Sequence, residues 1–113
     1  MGLATRRRIM DANREPAKVK VVTILAAREL LDSIEQALTG KGASGYTVAH
    51  VDGRGRHGSR FHGWLSMGNV RVEALLASDR AASLLQQLSR EYRGRELVAF
   101  AQDVEAIPPE HFD

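Results

Sequence analysis

The first half of the chain has one apolar run and one helical pattern. The run is Val19–Ala26, rich in β-branched residues and apolar enough to predict a central strand. The next apolar positions recur with helical spacing and predict an amphipathic helix over residues 28–39, which we expect Gly40 to end. These positions are Leu30, Leu31, Ile34, Ala37 and Leu38.

Three further segments predict strands. Tyr46–Val51 is short and mostly apolar, and Val70–Leu76 alternates apolar and polar residues. In Val70–Leu76, the apolar Leu75 falls on the side that is otherwise polar. Leu97–Gln102 is the fourth predicted strand and follows a turn at Gly94.

A second helix is predicted between the third and fourth strands. Ser78 is a suitable N-cap residue, and Asp79 suits the positive end of the helix dipole. Its buried stripe is expected to contain Ala81, Leu84, Leu85 and Leu88.

The order of these elements is β-α-β-loop-β-α-β, which predicts an α+β protein with a ferredoxin-like βαββαβ sandwich. Both helices then cover one face of a four-stranded antiparallel sheet. Leu75 and the apolar first strand favour a subunit interface on the other face.

Length and composition predict one domain. The 113 residues are 43% hydrophobic and contain no cysteine, which fits a cytoplasmic protein without disulfides or thiolate metal sites. We expect a basic, disordered tail over residues 1–18, a folded domain over 19–107 and a second tail over 108–113.

The basic character of the chain belongs to its first segment. Residues 1–18 carry five basic and two acidic groups, whereas the other 95 carry 11 basic and 12 acidic groups. Nucleic-acid-binding domains of this fold also stack bases on sheet aromatics, and the first and third strands have none. Nucleic-acid binding is therefore the weaker alternative.

The stretch from Gly53 to Gly68 is the strongest candidate for chemistry. It holds five glycines, three arginines and two histidines, and no acidic residue occurs from Gly53 to Val72. Converging backbone amides and guanidinium groups suit an anion, although a solvated hairpin loop has a similar composition. Ser59 and His62 lack a carboxylate to orient the imidazole, and the histidine spacing matches no metal site. We therefore expect neither an enzyme nor a metal protein.

The pattern around this loop resembles the PII signal-transduction family. The residues that match are Gly45, Thr47, Val48, Gly53, Gly55 and Arg56, at the base of a loop called the T-loop in that family. Val70-Arg71-Val72-Glu73 fits the family's third strand, and Gly94-Arg95 fits the phosphate-binding B-loop. The resemblance extends over residues 19–107.

This resemblance implies a homotrimer that binds adenine nucleotides in clefts between subunits. The amides near Gly53, Gly55 and Gly94 then line the pocket, and Arg56 and Arg95 meet the phosphates. Thr47 and Glu73 are expected near the adenosine, with Leu75 against the base.

Several positions depart from the nitrogen-regulatory members of the family. The T-loop is short and lacks tyrosine, Arg54 replaces a phenylalanine, and His57 replaces a glutamine that helps hold magnesium and 2-oxoglutarate. These departures favour ADP or AMP, with ATP and cyclic AMP as alternatives. We include Arg54 and His57 among the candidate binding residues.

The shortened loop looks more like that of PII-like proteins of inorganic-carbon metabolism. That similarity implies bicarbonate as a co-ligand and a bicarbonate transporter or carboxysome component as the protein partner. A nitrogen-regulatory protein with an atypical loop and a cyclic-AMP-sensing relative remain alternative interpretations.

Overall fold

The computed structural model describes residues 15–52, 54–55, 58–59 and 68–112. Two helices and six strands occur there, with 3₁₀ turns at Arg28–Leu30 and Pro109–Phe112. The helices are α1 (Leu31–Gly40) and α2 (Ser78–Glu91). The strands are β1 (Ala17–Ala27), β2 (Tyr46–Val51), β3 (Arg54–Gly55), β4 (Gly58–Ser59), β5 (Asn69–Leu76) and β6 (Leu97–Ala106).

The main sheet has the strand order β2-β5-β1-β6, and every neighbouring pair is antiparallel. The apolar run that predicted a central strand lies in β1, which pairs with β5 on one side and β6 on the other. Thr23, for example, lies between Glu73 of β5 and Phe100 of β6. The predicted ferredoxin-like α+β fold is confirmed.

The helices and one face of the sheet enclose the hydrophobic core, and we call this face the covered face. Side chains at alternate positions of β1 and β5 meet the apolar stripes of α1 and α2, and burial of this apolar area drives folding. Fully buried members include Val22, Ile24, Ile34, Leu38, Val70, Val72, Leu84 and Leu88. Leu85, which we expected in the buried stripe of α2, is only partly buried.

No helix among the described residues covers the opposite face, which we call the open face. Strand register places Thr47, Glu73, Thr23 and Phe100 in one row across it. Val98 is 43% exposed and Phe100 is 41% exposed there, whereas Thr23 is almost completely buried between its neighbours. Apolar side chains are thus left in contact with solvent on a single chain.

The end of α1 differs from the prediction. Gly40 is the last helical residue, and the chain reverses at Gly42, whose φ is +83°. The Ala43 N–H donates to the Leu38 carbonyl and the Gly42 N–H to the Thr39 carbonyl, both at 3.0 Å. This is the Schellman arrangement, and its left-handed position favours glycine. Spacing alone could not distinguish Gly40 from Gly42.

Two other boundaries differ from the sequence-based expectation. Ser78 is the first helical residue of α2 instead of its N-cap, which is Ala77 without a side-chain cap hydrogen bond. Strand β6 extends beyond Gln102 to Ala106 because β1 offers a partner along this whole length. A 2.7 Å ion pair between Lys20 and Asp103 lies within the extension.

Within the described ranges, no helix is long and apolar enough to cross a bilayer.

Candidate functional site

A cavity of about 400 Å³ lies where β2 begins and β5 ends, against the open face. These two strands are antiparallel neighbours, so the start of one meets the end of the other. The lining residues come from β1, from β2 and the two residues before it, from β5 and from the last 3₁₀ turn. They are Val21, Ser44, Gly45, Tyr46, Thr47, Glu73, Ala74, Leu75 and Phe112.

The cavity has a polar side formed by a cross-strand pair. Thr47 and Glu73 are directly opposite each other in the β2–β5 ladder. Glu73 is half-buried, and the Thr23 hydroxyl donates to its Oε2 at 3.4 Å. Glu73 is the acidic residue of this lining, so the cavity suits a ligand group that donates hydrogen bonds and disfavours a phosphate.

The other walls of the cavity are apolar. Leu75 and Val21 are cross-strand partners and both are partly buried. Phe112 approaches from the last 3₁₀ turn. Apolar walls with a few placed polar groups are typical of small-molecule sites.

Tyr46 joins the cavity wall to α1. Its hydroxyl donates to Oε2 of Glu35 at 2.8 Å. This hydrogen bond raises the pKa of the Tyr46 phenol from its ordinary value of 10.0, because the carboxylate stabilises the neutral phenol that donates to it. The contact holds the start of β2 against α1.

The predicted phosphate-binding loop begins at the opposite end of β2. Arg54–Gly55 and Gly58–Ser59 form the two-stranded ribbon β3–β4. Thr47 and Val51 are four residues apart in a strand, so about 13 Å of strand separates the cavity from this ribbon. Gly53, Arg56 and His57 lie outside the described residues.

The Gly94-Arg95 turn lies at the same end of the sheet as the ribbon but at the other edge. Gly94 has a φ of +78°, and the Arg95 N–H donates to the Tyr92 carbonyl at 2.9 Å. The Arg95 guanidinium lies 3.8 Å from Oε2 of Glu29. Since β5 and β1 separate β2 from β6, the two edges are about 14 Å apart.

The structure therefore brings together three of the predicted site residues, Thr47, Glu73 and Leu75. Gly94 and Arg95 are not part of the same cavity within one chain. The roles assigned to all of these residues remain predictions.

Sequence reasoning missed several cavity residues. Val21 and Tyr46 were interpreted only as strand residues, and Phe112 fell in the predicted tail. The available signal was an aromatic residue a few positions after the last predicted strand and after a proline pair. Its place beside the end of β5 in the cavity depends on how distant parts of the chain pack together.

Among the residues that the structure describes, no three histidine, aspartate or glutamate side chains form a cluster that could hold a metal ion.

Comparison with solved structures shows the same fold in several bacterial proteins. A PII-like signalling protein from Thermus thermophilus is 26% identical, with a TM-score of 0.72 over 86% of this chain and 97% of that chain. CPII from Thiomonas intermedia K12, bound to ADP and bicarbonate, is 19% identical, with a TM-score of 0.77 over 88% of this chain and 99% of that chain.

A DUF3240-family protein from Shewanella baltica is 17% identical, with a TM-score of 0.62 over 76% of this chain and 89% of that chain. No curated protein matches the chain in sequence. The family "Nitrogen regulatory protein P-II" matches residues 19–111, which include both helices and all of the main sheet except the first two residues of β1. The chain therefore belongs to the P-II family of regulatory signalling proteins.

Proposed function

We propose that this protein is a regulatory sensor that binds an adenine nucleotide, ADP or AMP, with bicarbonate as a co-ligand. It acts without catalysis, through a ligand-dependent change of the T-loop presented to a partner protein in the cytoplasm. The observation that carries the proposal is the cavity between β2 and β5, which combines apolar walls with Thr47 and Glu73.

The chemistry of the cavity favours the base of a nucleotide over its phosphates. A carboxylate such as Glu73 accepts hydrogen bonds from an exocyclic amine, but it repels a phosphate. Leu75 and Val21 offer the apolar surface that a purine needs. The phosphates then extend along β2 towards the glycine- and arginine-rich segment, where amides and guanidinium groups suit them.

A homotrimer accounts for the positions of Gly94 and Arg95. In one chain they lie at the far edge of the sheet, so a neighbouring copy must supply them if they contact the same ligand. Trimers are typical of PII-like structures. The exposed apolar residues of the open face, Val98 and Phe100, provide surface for such an assembly.

The proposal of bicarbonate draws on the CPII structures. CPII has been solved with ADP and bicarbonate, and also with ADP, AMP and bicarbonate. The acid-free segment from Gly53 to Val72 would favour a small oxyanion beside the nucleotide. A sensor with these two ligands would suit control of inorganic-carbon uptake or of the carboxysome, with a transporter or carboxysome component as the partner.

Calorimetric titration with ATP, ADP, AMP and cyclic AMP, each with and without bicarbonate, tests the proposal. We expect ADP or AMP to bind more tightly when bicarbonate is present. Equal affinity with and without bicarbonate would remove the co-ligand from the proposal, and preference for cyclic AMP would favour the cyclic-nucleotide alternative. Absence of binding to all four nucleotides would overturn the proposal.

A further inference from the structure

We propose that Phe112, in the 3₁₀ turn after β6, contacts the base of the bound nucleotide and helps to set the affinity of the site. This inference rests on the proposed nucleotide function. It assigns a ligand contact to the Pro109–Phe112 turn, which is separate from both the glycine-rich segment and the Gly94-Arg95 turn.

The path of the chain after β6 brings Phe112 to the cavity. Strand β6 ends at Ala106, opposite Ala17 at the start of β1. The Pro109–Phe112 turn follows, and the His111 N–H donates to the Pro108 carbonyl at 3.2 Å. The turn packs against β1 and carries Phe112 towards the end of β5.

Phe112 stands where two cavities meet. It lines the 400 Å³ cavity and also a second cavity of about 230 Å³, with Ser44 and Leu75 common to both. The side chain is only partly buried, so part of its surface is available to a ligand. The aromatic ring is therefore one of the cavity walls and is not confined to the core.

The composition of the cavity indicates which part of a nucleotide would meet this ring. Leu75 and Val21 add apolar surface beside Phe112, and Glu73 disfavours phosphate. A planar base gains dispersion and stacking energy from an aromatic ring, whereas a ribose phosphate gains little. Phe112 should consequently affect all ligands that share the adenine base.

The test compares Phe112→Ala with the wild-type protein in titrations of adenosine, AMP and ADP. For each of these ligands that the wild type binds, we expect Phe112→Ala to raise the dissociation constant by a similar factor, about 5- to 150-fold, since base–aromatic stacking is typically worth 1–3 kcal/mol. Phe112→Trp should retain affinity. Phe112→Leu, which keeps apolar contact without an aromatic ring, should fall between the two.

Ile107→Ala is the matched control because Ile107 precedes the same turn and is 74% exposed. We expect its nucleotide affinity to equal that of the wild type. Thermal unfolding without ligand checks that each variant is folded, and Phe112→Leu replaces Phe112→Ala if the latter is not.

Three outcomes would overturn the proposal. In the first, Phe112→Ala and Phe112→Leu bind the nucleotides with wild-type affinity. In the second, the loss of affinity in Phe112→Ala differs strongly between AMP and ADP. In the third, Ile107→Ala loses as much affinity as Phe112→Ala. Failure of the wild-type protein to bind any adenine ligand would instead overturn the proposed function itself.

Discussion

The two faces of the sheet carry similar apolar residues but bury them to different extents. On the covered face, Val22, Val72 and Leu84 are completely buried. On the open face, Val98 and Phe100 keep about two fifths of their surface exposed, and the charged Arg71 lies opposite Leu25 and Ala49. Both faces carry β-branched and apolar residues, yet the helices that the structure describes lie over only one of them.

This contrast separates folding from assembly and binding. The covered face is complete within one chain because α1 and α2 close it. The open face leaves apolar area and a ligand-sized cavity exposed to solvent. This exposure does not stabilise a single chain, and such surfaces are typical of interfaces and ligand sites. Substitutions on the covered face should therefore change stability, and those on the open face should change assembly or binding.

The largest effect is expected from Leu84→Ala on the covered face. Removing a completely buried leucine leaves a cavity and should lower the free energy of unfolding by about 2–5 kcal/mol. Leu85→Ala is the matched control on the same helix, because Leu85 is only partly buried. Denaturant unfolding of both variants checks this, and an equal loss for the two would contradict the division between buried and half-buried positions.

Phe100→Asp should act mainly on assembly. Phe100 is 41% exposed on the open face, so the added charge stays solvated in one chain but would be buried between copies. We expect the proposed trimer to dissociate, as measured by sedimentation. Gln86→Asp adds the same charge on the exposed surface of α2 and should leave the trimer intact. A trimer that persists in Phe100→Asp would exclude the open face as the interface.

Arg95→Ala should weaken nucleotide binding without affecting the fold. Loss of one hydrogen bond to a charged phosphate typically corresponds to about 1.5–3 kcal/mol of binding free energy. Arg93→Ala provides the control because both arginines are exposed in one turn. Calorimetric titration with ADP should separate the two variants. Equal affinity of both variants and the wild type would remove Arg95 from the site.

The smallest effect is expected at the hydrogen bond between Tyr46 and Glu35. The raised pKa of Tyr46 in the folded state means that this bond contributes stability below the unfolded-state pKa of about 10. The contribution disappears as pH rises through the folded-state pKa. Spectrophotometric titration of tyrosine should show one phenol with a raised midpoint, which Glu35→Gln moves back towards 10.0. No change in the midpoint would mean that Glu35 is not the cause.

The strands could be predicted because each is marked over several positions, by a continuous apolar run in β1 and by apolar–polar alternation in β5. Tyr46–Val51 has the same bounds in the sequence and in the structure. Boundaries that depend on a single residue were less accurate. Ser78 is a preferred N-cap type, but the backbone enters the helix one residue earlier, and the reversal after α1 uses Gly42 in place of Gly40.

The candidate site was predicted only in part. Thr47, Glu73 and Leu75 meet in one cavity because antiparallel pairing places the start of β2 beside the end of β5. Phe112 could not be assigned to the cavity from local patterns. Its position depends on the full length of β6 and on the turn that follows, which are long-range features.

The sequence by itself determined the order of elements, the central place of β1 and the covered face, since these follow from periodic burial of apolar residues. Tertiary structure decided which side chains share a cavity and which lie at opposite edges of the sheet. The physical reason is that strand pairing, and the packing of the turn after β6 against β1, bring together residues that are far apart in sequence. Arg95 and Thr47 are separated by two intervening strands for the same reason.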